Sequence, residues 1–256
     1  MNRIDRLFAE KKDHILNIYC TAGFPELGDT REVVSALQAQ GADMIEIGIP
    51  FSDPLADGPV IQQSGKQALE NGMTLNVLFE QLKDLRPEIR LPVLLMGYLN
   101  VILQYGVERF VESCAAAGID GVILPDLPPD EYKAVYEPLF KKHNIHFIFL
   151  ITPETTEERI RMIDRISSGF IYMVSSSSTT GKSKDLSAQE DYFKRIHRMQ
   201  LRNPALVGFG IHDHESFELA CKYANGAIIG SAYIKALQSA GEVAQATGKF
   251  IQTIIS

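Results

Sequence analysis

The chain has no tryptophan, only three cysteines and no surplus of positive charge. Each shortage excludes something. Cys20, Cys114 and Cys221 are odd in number, far apart and form no C-x-x-C pair. That rules out a disulfide framework and the paired-cysteine zinc and redox motifs. All three lie in apolar stretches and read as buried free thiols in a reducing cytoplasm. Lys and Arg total 25 against 32 Asp and Glu, for a net charge of −7 mixed along the sequence. A nucleic-acid-binding protein needs a basic face that this composition does not supply. No apolar run reaches the roughly 18 residues that a membrane span requires. The first dozen residues, M-N-R-I-D-R-L-F-A-E-K-K, read as a short amphipathic helix and lack the apolar core of a secretion signal. No linker, charge block or low-complexity tract divides residues 1–256, which are read as one domain.

What the chain does have is a rhythm. Short apolar runs near residues 15–21, 43–49, 93–96, 119–124, 146–151, 169–174, 205–209 and 226–229 read as strands. Helical stretches near 29–40, 74–85, 106–117, 129–142, 155–166, 189–200, 213–224 and 239–254 alternate with them. Asp29, Thr155 and Asp213 are placed to cap helix starts, and Gly41 and Gly118 follow helix ends. Eight βα units in about 250 residues predict an α/β fold, a (β/α)8 TIM barrel preceded by an extra N-terminal helix. The competing doubly wound sheet usually carries G-x-G-x-x-G after its first strand, where this chain reads C-T-A-G-F-P.

A barrel of this kind builds its active site at the carboxyl ends of the strands, and the unusual loops of this chain fall there. Residues 45–59 read I-E-I-G-I-P-F-S-D-P-L-A-D-G-P. Ile45, Ile47 and Ile49 form one face of a strand, so Glu46 stands on the other. A carboxylate on a buried strand is costly without a task or a partner. Asp57 follows on the next loop, completing the layout of an acid/base pair. Taken alone, Asp57 is also a plain turn residue in D-G-P, and Glu46 could be a structural carboxylate paired with a cation. Gly208-Phe209-Gly210 ends the seventh strand, and A-I-I-G-S-A (227–232) ends the eighth and enters a helical turn at Ser231. Glycines at these two strand ends let backbone N–H groups approach a phosphate. Tyr19, Tyr98, Tyr172 and Phe209 close four strands at the same rim and predict an apolar pocket for a flat substrate. His212 and His214 diverge at a helix start and lack a third ligand, so no metal site is expected.

The motifs I-E-I-G-I-P-F-S-D-P-L-A-D-G-P, L-L-M-G-Y-L-N, P-D-L-P, T-T-G, G-F-G-I and G-A-I-I-G-S-A, in this order and spacing, resemble the tryptophan synthase alpha chain. The resemblance covers nearly the whole chain. It implies a (β/α)8 barrel that cleaves indole-3-glycerol phosphate to indole and glyceraldehyde 3-phosphate. It also implies a beta-chain partner in an alpha2beta2 assembly, which holds the pyridoxal phosphate and receives indole through a tunnel. No cofactor is expected in this chain. The family's catalytic glutamate, aspartate and tyrosine fall on Glu46, Asp57 and Tyr172. Substrate contacts fall on Thr180, Gly181, Phe209, Gly210, Gly230 and Ser231 at the phosphate, and on Tyr19, Tyr98, Ile123 and Leu150 around indole. Asp53 and Pro54 match the loop that meets the beta chain. Two positions depart from the family: Ser178-Thr179-Thr180-Gly181 replaces G-V-T-G, and Ala22-Gly23-Phe24-Pro25 replaces A-G-D-P. The missing tryptophan fits an enzyme made when tryptophan is scarce. A lyase working without a beta chain, a catalytically silent barrel that only activates one, and another sugar-phosphate-binding barrel stay open as alternatives.

Overall fold

Alternating side chains on strands of a few residues need two apolar layers, one on each side of the sheet, and the barrel supplies both. The computed structural model describes residues 1–55, 57–175, 189–239 and 241–256. Eight parallel strands close in chain order: β1 (Ile15–Thr21), β2 (Met44–Gly48), β3 (Val93–Met96), β4 (Gly121–Ile123), β5 (His146–Ile151), β6 (Ile171–Val174), β7 (Ala205–Gly208) and β8 (Gly226–Ile229). β1 closes the ring by pairing with both β2 and β8. Outward residues such as Ile18, Ile45, Ile47 and Leu95 pack under the helices. Inward residues Ile15, Met44, Leu94, Ile123, Ile148, Leu206 and Ile228 fill the barrel.

The amphipathic N-terminal stretch forms α1 (Arg3–Glu10) and plugs the amino-terminal end. Its Ile4 is fully buried in the barrel interior, and Phe8 packs 6.1 Å from Phe170. Asn2 caps this helix by accepting from the Ile4 N–H, and its amide donates to the carbonyls of Asp120 and Asn144. Asp120 is bound by Arg3 and Arg86 and accepts the Val93 N–H. The carboxylate and the amide at the centre of that cluster are both satisfied, which marks this end as structural.

The helices are α2 (Thr30–Ala39), α3 (Pro59–Glu70), α4 (Leu75–Leu82), α5 (Leu99–Tyr105) and α6 (Val107–Ala117), then α7 (Pro129–Glu131), which passes through a π-helical turn (Tyr132–Tyr136) into α8 (Glu137–Lys142). They continue with α9 (Glu157–Ile166), α10 (Glu190–Arg198), α11 (His214–Cys221), α12 (Ser231–Gln238) and α13 (Val243–Ile255). Asp213 caps α11 in a reciprocal capping box with Ser216. The cap of α9 is Thr156, not Thr155, and Asp29 turns its carboxylate back to the Glu26 N–H instead of capping α2. Three helices lie outside the stretches expected to be helical: α3, α5 and the body of α12. Asp57-Gly58-Pro59 reads as a turn, but Pro59 occupies the first helical position, where its missing N–H has no partner to lose. Cys20 and Cys114 are buried and Cys221 is only half-buried; all three are free thiols. Phe24, in the loop after β1, is buried in the outer core. Among the described residues, no helix is long and apolar enough to cross a membrane.

Candidate active site

Glu46 faces into the barrel because its neighbours Ile45 and Ile47 face out. It pairs in register with Tyr19 of β1 and Leu94 of β3, and it is completely buried. Asn17 Nδ2 donates to its Oε2 at 3.3 Å, and its Oε1 has no partner among the described residues. Burial pushes the Glu46 carboxyl up to about 8; the Asn17 amide opposes the rise and the charge of Asp57 adds to it.

Asp57 sits on the loop between β2 and α3. Its N–H donates to the Pro54 carbonyl at 3.3 Å. Gln62, one turn into α3, donates its side-chain amide to the carbonyls of Asp57 at 2.8 Å and Pro54 at 3.3 Å. The loop is thus tied to the helix it feeds. Tyr98 Oη donates to Asp57 Oδ2 at 3.1 Å. Partial burial pushes the Asp57 carboxyl up to about 6, against the pull of that hydroxyl. The two environments separate the pair: near neutral pH Glu46 holds its proton and Asp57 is largely ionised.

Two inward tyrosines frame the carboxyls, and each lies over a glycine on the next strand. A Cβ on Gly48 would overlap the Tyr19 hydroxyl, and a Cβ on Gly208 would overlap the Tyr172 ring. Tyr172 is buried; desolvation raises its hydroxyl pKa well above the usual value, and the charges of Glu46 and Asp57 raise it further. Gly208→Ala should therefore displace Tyr172. We expect a loss of about 1–3 kcal/mol in stability, as for overpacked cores, and at least about tenfold lower turnover from a shift of this size. Gly65→Ala, in α3 where an added Cβ would meet nothing within 4 Å beyond its own helix backbone and chain neighbours, should leave both intact. Urea unfolding and initial rates on the two variants check the expectation.

Opposite the carboxyls the backbone is arranged differently. Phe209 and Gly210 follow β7 in consecutive left-handed conformations, φ +69° and +81°. That conformation is costly for phenylalanine. Ser175 holds it in place, with Oγ donating to the Phe209 carbonyl at 2.6 Å and N–H to the Gly208 carbonyl at 3.0 Å. Gly230 caps α12, and Ser231 opens it. The first N–H groups of that helix have no intrahelical acceptor and carry the positive end of its dipole. Glycine at 210 and a helix start at 231 leave room and donors for a phosphate.

These parts converge. Tyr19, Glu46, Asp57, Tyr172, Phe209, Gly210, Gly230 and Ser231 line one cleft, with Ile61, Met96 and Ile228 adding apolar surface. Tyr98 reaches the cleft through Asp57. Ile123, expected on the indole wall, ends the three-residue β4 and is fully buried in the interior layer that also holds Tyr172 and Ile228, and Leu150, expected there too, packs against that layer. Thr180 and Gly181 lie outside the described residues. Asp53 is exposed and accepts the Ser52 hydroxyl at 2.5 Å, Pro54 is half-buried, and Leu55 beside them is 87% exposed. His212 and His214 turn apart, their Nδ1 atoms meeting the carbonyls of Gly210 and Ile254. Asn17 is absent from the residues that sequence reasoning singles out. Its signal is there: an amide at an inward position of L-N-I-Y, between outward Leu16 and Ile18.

Known proteins share this architecture. The family model for the tryptophan synthase alpha chain matches residues 6–254. The alpha chain of Parabacteroides distasonis is 53% identical over 255 residues, 99% of each chain. That of Flavobacterium psychrophilum is 54% identical over 255 residues, 99% of this chain and 100% of the relative. Among solved structures, the tryptophan synthase alpha subunit of Legionella pneumophila superposes with a TM-score of 0.86 at 36% identity, covering 100% of this chain and 97% of that one. A chain of the Pyrococcus furiosus tryptophan synthase complex superposes at 0.85 with 35% identity, covering 95% and 98%. With one family model spanning nearly the whole chain and relatives above half identity, this protein belongs to the tryptophan synthase alpha chain family.

Proposed function

We propose that the cleft cleaves indole-3-glycerol phosphate to indole and glyceraldehyde 3-phosphate, with Glu46 moving the protons and Asp57 holding the ring. The observation that carries this assignment is the split environment of the two carboxyls in the same cleft: Glu46 is completely buried, Asp57 only partly. Glu46 as the acid delivers its proton to the ring carbon that bears the glycerol chain. Asp57 accepts the indole N–H and stabilises the positive charge that spreads onto the nitrogen. Glu46, now a carboxylate, takes the proton from the hydroxyl on the adjacent chain carbon. That oxygen becomes the aldehyde as the carbon–carbon bond breaks, and its electrons return to the ring. Glu46 ends protonated, as it began. Tyr172 is close enough to feel the charge of both carboxyls and to assist. Phosphate is held by the backbone at Phe209, Gly210, Gly230 and Ser231, with Thr180 and Gly181 assigned to the same end. Proton transfers suffice for this reaction, so pyridoxal phosphate belongs to the partner.

The partner is a beta chain in an alpha2beta2 assembly, meeting the loop at Asp53 and Pro54. Asp53 and Leu55 of that loop are exposed and accessible to a partner. Three free thiols support a cytoplasmic setting. The test is indole release from indole-3-glycerol phosphate, measured with and without beta chain across pH. Activity should rise through about pH 6 as Asp57 ionises and fall through about pH 8 as Glu46 loses its proton. Addition of beta chain should raise the rate, because the loop that carries Asp57 also carries the contact. No indole under either condition would overturn the assignment; full activity without beta chain would favour a lyase that works alone.

A further inference from the structure

Below the floor of the cleft, two neighbouring side chains each leave one buried polar atom without a partner among the described residues: Oδ1 of Asn17 and Oε1 of Glu46. Asn17 is completely buried on β1 and does not line the cleft. Its neighbours in register, Met44 and Ile228, are apolar. The outward side chains beside it, Leu16 and Ile18, belong to the outer core. An amide in such a place costs stability unless it is bonded. Its side-chain bond runs to Glu46 Oε2, at 3.3 Å.

We infer that Asn17 is a positioning residue for Glu46, one whose amide serves both protonation states of that carboxyl. A carboxylate at Glu46 accepts from Asn17 Nδ2. A protonated Glu46 carries an O–H that needs an acceptor, and Asn17 Oδ1 is an acceptor with no donor among the described residues. Rotation of the amide by half a turn exchanges Nδ2 and Oδ1 at the same place. The side chain thus keeps Glu46 aimed at the cleft while the proton leaves and returns. Asn17 has no proton to give and stands behind the carboxyl, away from the cleft. An apolar side chain here would leave Glu46 without this partner. The other titratable groups near Glu46 on the inward side are Tyr19 from β1, Asp57 from the following loop and Tyr172 from β6, while Cys20 of β1 points to the outer core. Among the described residues, Asn17 is the one hydrogen-bonded to it.

This inference rests on Glu46 being the proton carrier, and the two are tested separately. Glu46→Gln must first abolish indole release; an active variant would remove the underlying assignment. Given that result, Asn17→Leu should lower kcat by about 10- to 100-fold, the worth of one hydrogen bond to a charged group, with KM changed less than about threefold. The alkaline limb of the pH profile should move up by about one unit, because the ionised form has lost its donor. Asn17→Thr, whose hydroxyl donates and accepts, should recover part of both. A normal alkaline limb in Asn17→Leu would show that the residue only packs. Should Asn17→Leu not fold, side-chain 15N resonances of asparagine-labelled wild type decide. One slowly exchanging amide pair should titrate with the alkaline limb and stop titrating in Glu46→Gln. Absence of such a pair would overturn the inference.

Discussion

Glu46→Gln is expected to lower the rate of indole release by more than about 10⁴-fold, the upper end for one acid/base group. The excess follows from the double use proposed for it: the same carboxyl would give a proton to the ring carbon and take one from the hydroxyl, and an amide does neither. Substrate binding should survive, because the phosphate contacts and the apolar wall are untouched, so the loss should appear in kcat rather than KM. Stability should change the other way. The folded-state pKa of Glu46 is raised to about 8 from an ordinary value of 4.5. A raised acid contributes its full stability below the unfolded value and loses it as pH climbs through the folded one. At pH 7 the unfolded chain has released a proton that the folded chain still holds, a cost of about 3 kcal/mol. Glutamine has no such proton, and Asn17 can still bond it. The variant should therefore match wild type in urea at pH 4 and exceed it progressively toward pH 8. A Glu46→Gln protein less stable than wild type at pH 8 would contradict the buried, proton-holding carboxyl from which the mechanism is built.

The same logic explains what could be read in the sequence. Glu46 was legible because a strand has two faces: three isoleucines claimed one, and only the other remained for the acid. The eight strands were legible for the same reason, within about two residues at their ends. Asp57 was legible by its place after Glu46 but not by its surroundings, since D-G-P also begins α3 and the Tyr98 hydroxyl comes from a different βα unit. Asn17 stayed hidden because an asparagine in an apolar strand has no meaning until its partner, 29 residues later, is placed beside it. Ile123 and Leu150 stand near the ends of apolar strands, as pocket residues do, but their depth within the barrel depends on strand length and stagger, and neither is written in the local pattern. α5, L-N-V-I-L-Q-Y, was illegible because an apolar run without clear period fits a loop or a strand as well as a helix.

Asp57→Asn should cost about 10²- to 10³-fold in turnover, the usual loss when one preorganised electrostatic group is removed. The amide can still accept the indole N–H, so ring orientation is kept. What it lacks is the negative charge that offsets the iminium-like nitrogen as the ring carbon is protonated. The variant should also lose the acid limb of the pH profile, because the group pushed up to about 6 by its partial burial is gone. The alkaline limb should shift slightly downward, since the Asp57 charge helps to hold the proton on Glu46. Tyr98→Phe separates charge from placement. It removes the hydroxyl that donates to Asp57 Oδ2 but keeps the ring packed 5.2 Å from Phe51. Without that donor the Asp57 carboxylate is less favoured, so the acid limb should move to higher pH while the plateau rate falls by about tenfold or less, the worth of one hydrogen bond. Rate profiles of the two variants from pH 5 to pH 9, with beta chain at saturation, distinguish the roles. An acid limb that persisted unchanged in Asp57→Asn would assign that titration to another group, and with it the task of holding the ring.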